Sequence, residues 1–304
     1  MLKNLSRNFF LFLSQNQTLN KSAKRWGWKL GASRVVAGED INSAMQAVQQ
    51  LNEDGIMCTV DHLGEFVTDE NEALKSAEYC IKTLDAIVSK NVDCNLSLKL
   101  TQLGLDIDQK ICMYNMENIL SAAKKYGIFV RIDMEDFSHY PATIDILKKL
   151  RMKYDNTGTV IQAYLHRASA DVEALKGIPL RLVKGAYKEP PEVALQKKSD
   201  IDNNFIHIIK QHLCNGSYTA IATHDHHIIE KVKKFVQENN IPRDLFEFQM
   251  LYGFRVEMHK TLAAEGYRFR TYVPFGKDWY GYFMRRLAER PQNVAFAFKG
   301  FFSK

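Results

Sequence analysis

From residue 55 onward the chain repeats one pattern eight times: a short apolar run, then polar residues, then usually a helical segment. The runs are Ile56–Val60, Leu96–Leu100, Ile128–Ile132, Val160–Tyr164, Leu180–Val183, Thr219–Ala222, Leu245–Met250 and Phe269–Val273. Runs of this length suit strands buried on both faces, as in a parallel sheet covered by helices. After the first run, Leu74, Ala77, Ile81, Leu84 and Val88 recur at threes and fours behind Thr68, which is placed to cap a helix. Gly127, Gly216 and Gly266 fall where helices should end. An open doubly wound sheet competes with this reading, but period and count together favour an α/β fold closed into a (βα)8 barrel over residues 55–304. Residues 1–54 read as two or three helices packed on that barrel.

In a parallel barrel, chemistry collects at the C-terminal ends of the strands. The eight ends carry, in order, Asp61 and Glu65; Lys99; Asp133, Glu135 and Asp136; Gln162; Arg181, Lys184 and Gly185-Ala186-Tyr187; Thr223, His224 and Asp225; Glu247 and Gln249; and Tyr272. Each has a plainer reading. Lys99 can be an interior lysine paired with Asp133. Arg181, between Leu180 and Leu182, can face solvent. His224 to His227 can be a polar helix start rather than a metal cluster. The final segment adds a further clue. Trp279, Tyr282, Phe283 and Arg286 share one helical face, flanked by Arg285 and Glu289. A guanidinium on a buried aromatic stripe implies a paired anion, whereas a solvated Arg pair would snorkel off the helix. With Lys99, Arg181, Lys184, Arg285 and Arg286 able to reach one mouth, the ligand should be anionic: a carboxylate, a phosphate or both.

Composition narrows the classes. The net charge of +6 is spread along the chain without a basic run, so no nucleic-acid partner is expected. Five scattered cysteines without a Cys-x-x-Cys point to reduced thiols, a cytoplasmic setting and no zinc site. No apolar stretch is long enough to span a bilayer. The basic N-terminus and the run Phe9 to Leu13 read as an amphipathic helix compatible with peripheral contact at the inner face of the cell membrane. Neither a Rossmann nor a Walker glycine motif is present. A nucleotide cofactor would need another cradle, and the small residues Gly185 and Ala186 offer one.

Taken together, the strand-end motifs resemble proline dehydrogenase. They are Leu96-Ser97-Leu98-Lys99-Leu100, Arg131-Ile132-Asp133, Gln162-Ala163-Tyr164, Arg181-Leu182-Val183-Lys184-Gly185-Ala186-Tyr187, Ala222-Thr223-His224, Glu247-Phe248-Gln249-Met250-Leu251, and Tyr272-Val273-Pro274 leading to Arg285-Arg286-Leu287-x-Glu289. They run in family order over residues 55–300. The resemblance implies the short monofunctional bacterial form: a distorted barrel, FAD at the strand ends and the last helix over the mouth. It implies oxidation of L-proline to Δ1-pyrroline-5-carboxylate, the first step of proline catabolism, with electrons passed to a membrane quinone. By that likeness Arg285, Arg286 and Lys99 hold the carboxylate, and Tyr272 and Tyr187 pack on the ring. Arg181 lies near the flavin, and Asp133 positions Lys99. Met134, Gln162, Lys184, Gly185, Ala186, Thr223 and His224 contact FAD. Glu289 orients the arginines, and Glu65 pairs with Arg285 as a gate. Asp225 departs from the pattern, where asparagine is expected. Two other readings compete: a metal-dependent hydrolase using His224, His226 and Asp61, and a non-catalytic barrel that binds an anionic metabolite.

Overall fold

The computed structural model describes residues 32–64 and 67–289, with the side chains of Arg285 and of residues 287–289 excepted. The Phe9–Leu13 helix and Glu65 lie outside the described residues, as do the side chains of Arg285 and Glu289.

The eight expected strands form a closed, all-parallel barrel. They are β1 (Met57–His62), β2 (Cys94–Leu98), β3 (Val130–Ile132), β4 (Thr157–Gln162), β5 (Leu180–Val183), β6 (Thr219–Ala222), β7 (Phe246–Leu251) and β8 (Phe269–Phe275). Closure is made by β1 on β8, in register from Met57 opposite Arg270 to His62 opposite Phe275. The helices are α1 (Ile41–Glu53), α2 (Glu70–Ser89), α3 (Gln109–Lys125), α4 (Tyr140–Arg151), α5 (Ala168–Ala174), α6 (Lys198–Cys214), α7 (His226–Glu238), α8 (Val256–Ala264) and α9 (Trp279–Glu289). The apolar faces of α1 to α8 meet the outer faces of the strands in one continuous core. Ala44, Met45 and Val48 of α1 belong to that same core.

Two expectations shift. The cap of α2 is Asp69, whose side chain accepts from Glu72 N, whereas Thr68 is bound back by the Glu72 carboxylate. The fourth strand begins at Thr157 and ends at Gln162, not at Tyr164. Its first residues carry little apolar signal: Gly158 sits against the Pro179 carbonyl, 2.0 Å from where a Cβ would be, with the Arg131 guanidinium next to it. A Cβ there would lie 2.9 Å from Arg131 Nη1.

The last helix is held by a second, smaller cluster. Trp279, Tyr280, Tyr282 and Phe283 of α9 pack on Ala32, Val35, Val36 and Leu63. The aromatic stripe is therefore buried as expected, and its inner neighbour is the segment preceding α1.

Beside the mouth, His139 clamps two loops. Its Nδ1 lies 2.7 Å from Asp136 and its Nε2 2.9 Å from Asp106. Burial works to lower the imidazole pKa, but the hydrogen bonds and charges of both carboxylates outweigh it and hold it above the ordinary 6.5. The stabilisation from the protonated ring is thus complete below about pH 6.5 and is lost as pH rises through the folded value. His139→Gln should therefore lower the denaturation midpoint more at pH 6 than at pH 9. An equal loss at both values, by chemical denaturation, would show that the ring acts without its charge.

Candidate active site

The barrel lumen is polar. Arg181, on β5, donates from Nη2 to Ser97 Oγ on β2 (3.0 Å), from Nη1 to Asp133 Oδ1 (2.6 Å) and from Nε to Gln249 Oε1 on β7 (2.7 Å). None of these strands neighbours β5. The bonds therefore cross the lumen, and the solvent-facing reading of Arg181 does not hold: the residue is only 5% exposed. The crossing is open because β6 contributes alanines. Ala220 is in register with Arg181 and Glu247, and Ala222 with Gln249.

Above Arg181 the network continues to the mouth. The Tyr272 hydroxyl lies 2.6 Å from Asp61 Oδ2 and 2.9 Å from Asp133 Oδ2. Burial, with the adjacent Asp133 and Asp61 charges, pushes the phenol well above its ordinary pKa, so it stays protonated. The Arg181 guanidinium stacks over the Tyr272 ring at 5.2 Å. Lys99 donates to Asp61 at 2.7 Å. This corrects the expected Lys99–Asp133 pairing: β2 ends at Leu98, and Lys99 turns toward β1, while Asp133 is taken by Arg181. Burial raises the Asp61 pKa, and Lys99 opposes that rise. Asp61 Oδ1 is buried and has no hydrogen-bond partner among the described residues.

A cavity of about 360 Å3 opens over this floor, within the size range of small-ligand sites. Lys99, Asp133, Met134, Gln162, Arg181, Lys184, Gly185, Ala186, Tyr187, Thr223, His224, Tyr272 and Arg286 all line it. Among the expected site residues, only those outside the described residues, or with undescribed side chains, are not placed there. Asp61, Gln249 and Tyr282 also line it and were not among the expected site residues. Asp61 was visible only as a strand-end acid and as a residue of the competing hydrolase reading, and Tyr282 only as part of the aromatic stripe. Glu247, expected at a strand end, instead lies deep in the lumen, two residues below Gln249 on the same face of β7.

The walls are tied down. Glu135 accepts from Thr101 Oγ1 at 2.8 Å, Gln162 Nε2 donates to Glu135 O at 3.0 Å, and Phe137 N donates to Glu189 at 2.8 Å. With its amide so fixed, Gln162 presents a buried Oε1 that has no protein partner among the described residues. Lys184 is held by Asp202 (2.5 Å) and Asp225 (3.1 Å). Asp225 is thus an ion-pair partner and the cap of α7, accepting from His227 N.

His224 accepts the Leu251 N–H on one ring nitrogen (3.2 Å), His226 stacks on His227, and Asp61 is bound by Lys99 and Tyr272. The three residues of the hydrolase reading do not come together as a ligand set. Among the described residues no cluster of acidic, His or Cys side chains is arranged for a metal.

A closed parallel barrel whose mouth gathers cations and a buried carboxylate around a small cavity has the architecture of a barrel enzyme with a small-molecule site. The model of the family described as proline dehydrogenase matches residues 44–298. "Proline dehydrogenase 2" of Bacillus subtilis is 50% identical over 302 residues, covering 99% of this chain and 100% of that protein. "Proline dehydrogenase" of Deinococcus radiodurans is 41% identical over 307 residues, covering 99% of each. The chain belongs to the proline dehydrogenase family, and it is an oxidoreductase. A solved structure of proline utilization A from Bdellovibrio bacteriovorus superposes with a TM-score of 0.81 at 24% identity. That match covers 97% of this chain and 39% of the larger protein, and it supports the barrel fold. Among the described residues no helix is long and apolar enough to cross a membrane.

Gly185 fits the cavity wall only without a side chain. Its φ is +104°, and a Cβ would lie 2.4 Å from the Tyr164 ring. Gly185→Ala should cost on the order of 1–3 kcal/mol and distort the wall. A thermal midpoint unchanged from wild type would show that the ring yields freely.

Proposed function

We propose that the chain oxidises L-proline to Δ1-pyrroline-5-carboxylate, with FAD as hydride acceptor and a quinone as the next acceptor. The observation that carries this reading is the pairing of charges at the mouth. Arg286 and Lys99 suit a carboxylate, while the unpartnered Asp61 Oδ1 suits a ring ammonium. A cyclic amino-acid zwitterion satisfies both at once.

The cavity residues also fit a flavin. Gln162 offers a buried acceptor for a ring N–H, Arg181 a fixed cation, and Gly185 and Ala186 an approach close to backbone. Met134, Lys184, Thr223 and His224 complete the contacts in this reading. When bound, FAD supplies the two-electron acceptor for the hydride leaving the carbon beside the ring nitrogen. The protein's part is orientation and electrostatics. Lys99, Arg286 and, by resemblance, Arg285 clamp the carboxylate. Tyr272 and Tyr187 bound the ring, with Tyr187 at the exposed rim. Arg181 would hold a fixed positive charge beside the flavin, and its three bonds would keep reorganisation small. Asp133 holds Arg181 and Tyr272 in place. Glu289 orients the arginines, and Glu65 pairs with Arg285 when substrate is absent, both by resemblance. The division of the chain at residue 54 is part of the same reading, as is a cytoplasmic enzyme that visits the inner membrane surface through its basic N-terminus.

Purified protein should bind FAD non-covalently, and proline should bleach the flavin bands under anaerobic conditions. A spectrum unmoved by proline but bleached by another amino acid would replace the substrate. Reduction of a soluble quinone analogue tests the acceptor, and co-sedimentation with anionic vesicles tests the membrane contact. Arg286→Ala should raise KM for proline at least roughly tenfold, because losing one partner of a desolvated ion pair costs about 2–4 kcal/mol. FAD content should stay near that of wild type. Unchanged kinetics would return Arg286 to a packing role.

A further inference from the structure

Beside Arg181 the lumen carries a further polar group of residues: Gln249, Glu247 and Arg270, exposed by 3%, 2% and 5%. Parallel barrels usually fill this level with branched apolar side chains. A buried ion pair is a poor source of stability compared with such packing, so its presence asks for another reason. The geometry of Gln249 supplies one. Its Oε1 accepts from Arg181 Nε at 2.7 Å, and its Nε2 donates to Glu247 Oε1. A primary amide presents one accepting and one donating end, which a flip exchanges. Here both neighbours allow a single role, because a guanidinium only donates and a carboxylate only accepts. The flipped amide would set N–H against N–H and oxygen against oxygen.

The orientation is anchored from below. Arg270 Nε donates to both Glu247 oxygens at 3.0 Å, and Tyr218 donates to Oε2 at 2.7 Å. Arg270 Nη1 is fixed on Cys58 O at 2.6 Å. Burial works to raise the Glu247 pKa, but Arg270 and the hydrogen bonds from Tyr218 and Gln249 outweigh it and hold the carboxyl below its ordinary range. The carboxylate is therefore ionised at neutral pH and acts only as an acceptor.

We infer that Gln249 and Glu247 are positioning residues that hold the Arg181 guanidinium in one orientation at the cavity floor, with Arg270 and Tyr218 as their anchor. This rests on the reading in which Arg181 faces the flavin. The other two Arg181 bonds go to Ser97 and Asp133, on β2 and just beyond β3. Without Gln249 nothing on the β7 side opposes them, and the guanidinium swings toward β2 and β3.

The test is Gln249→Met in the FAD-bound enzyme, since methionine keeps the length and removes both polar ends. The kcat should fall on the order of ten- to a hundredfold, the usual consequence of a misplaced catalytic group. KM for proline should hold, because the carboxylate clamp is untouched. The flavin midpoint potential should become more negative, and the Arg181 Nε–H resonance should lose its protection from exchange. Unchanged kcat, potential and resonance would overturn the inference. Arg181→Lys, measured alongside, separates the two claims. If that variant leaves the potential unmoved, the placement of Arg181 beside the flavin fails, and the resonance alone then decides the positioning claim. Should Gln249→Met not fold, Gln249→Asn stays polar but cannot span both partners, and the same outcomes apply.

Discussion

Arg181 is bonded to three side chains from β2, β7 and the end of β3, none of which it could meet except through the lumen. Much of the site follows from that. A guanidinium inside a barrel must have its charge matched and its N–H groups satisfied, or burial is prohibitive. Asp133 supplies the charge, and Ser97 and Gln249 supply the remaining acceptors. Asp133 is then shared with Tyr272, Tyr272 with Asp61, and Asp61 with Lys99. Lys99 at the mouth is thus held by a chain of contacts that begins on the floor.

This arrangement separates two tasks. Lower down, Glu247 and Arg270 are bonded to one another and do not line the cavity. At the mouth, Lys99 and Arg286 line the cavity, and in the proposed reading they would take a substrate carboxylate. In that reading, bonded groups below an exchangeable mouth would let substrate bind without moving Arg181, and such preorganisation is what lowers a barrier when charge develops. The last helix brings Arg286 and Tyr282 to the mouth because its aromatic stripe packs on Leu63 and the segment from Ala32 to Val36. That segment is therefore part of the site's support, even though it precedes the barrel.

The barrel was legible because a parallel strand buried on both faces leaves an apolar run that little else produces. Where a strand departs from that rule the reading slipped. Thr157 and Gly158 of β4 are small, Gly158 because it lies against Pro179 O and the Arg131 guanidinium, so they looked like loop. Positions near the mouth were legible as polar residues at run ends, and the aromatic stripe of α9 as helical spacing. Partners were not legible. Whether Lys99 meets Asp61 or Asp133 depends on how far β2 runs before the chain turns, which no local pattern encodes. Glu247 read like any strand-end acid, because depth in a lumen is a property of the closed barrel. The same holds for Ala220 and Ala222, whose small size matters only when a guanidinium from β5 passes over them.

The central claim is that the cross-lumen bond between Arg181 and Asp133 is a buried, preorganised pair. A double-mutant cycle on unfolding free energy, with Asp133→Asn, Arg181→Gln and the double variant, tests it most directly. The account predicts single losses on the order of 3–5 kcal/mol that are far from additive, because each single variant strands the charge that the double variant removes. Losses that add to within about 0.5 kcal/mol would mean that the two groups do not depend on each other, and would contradict it.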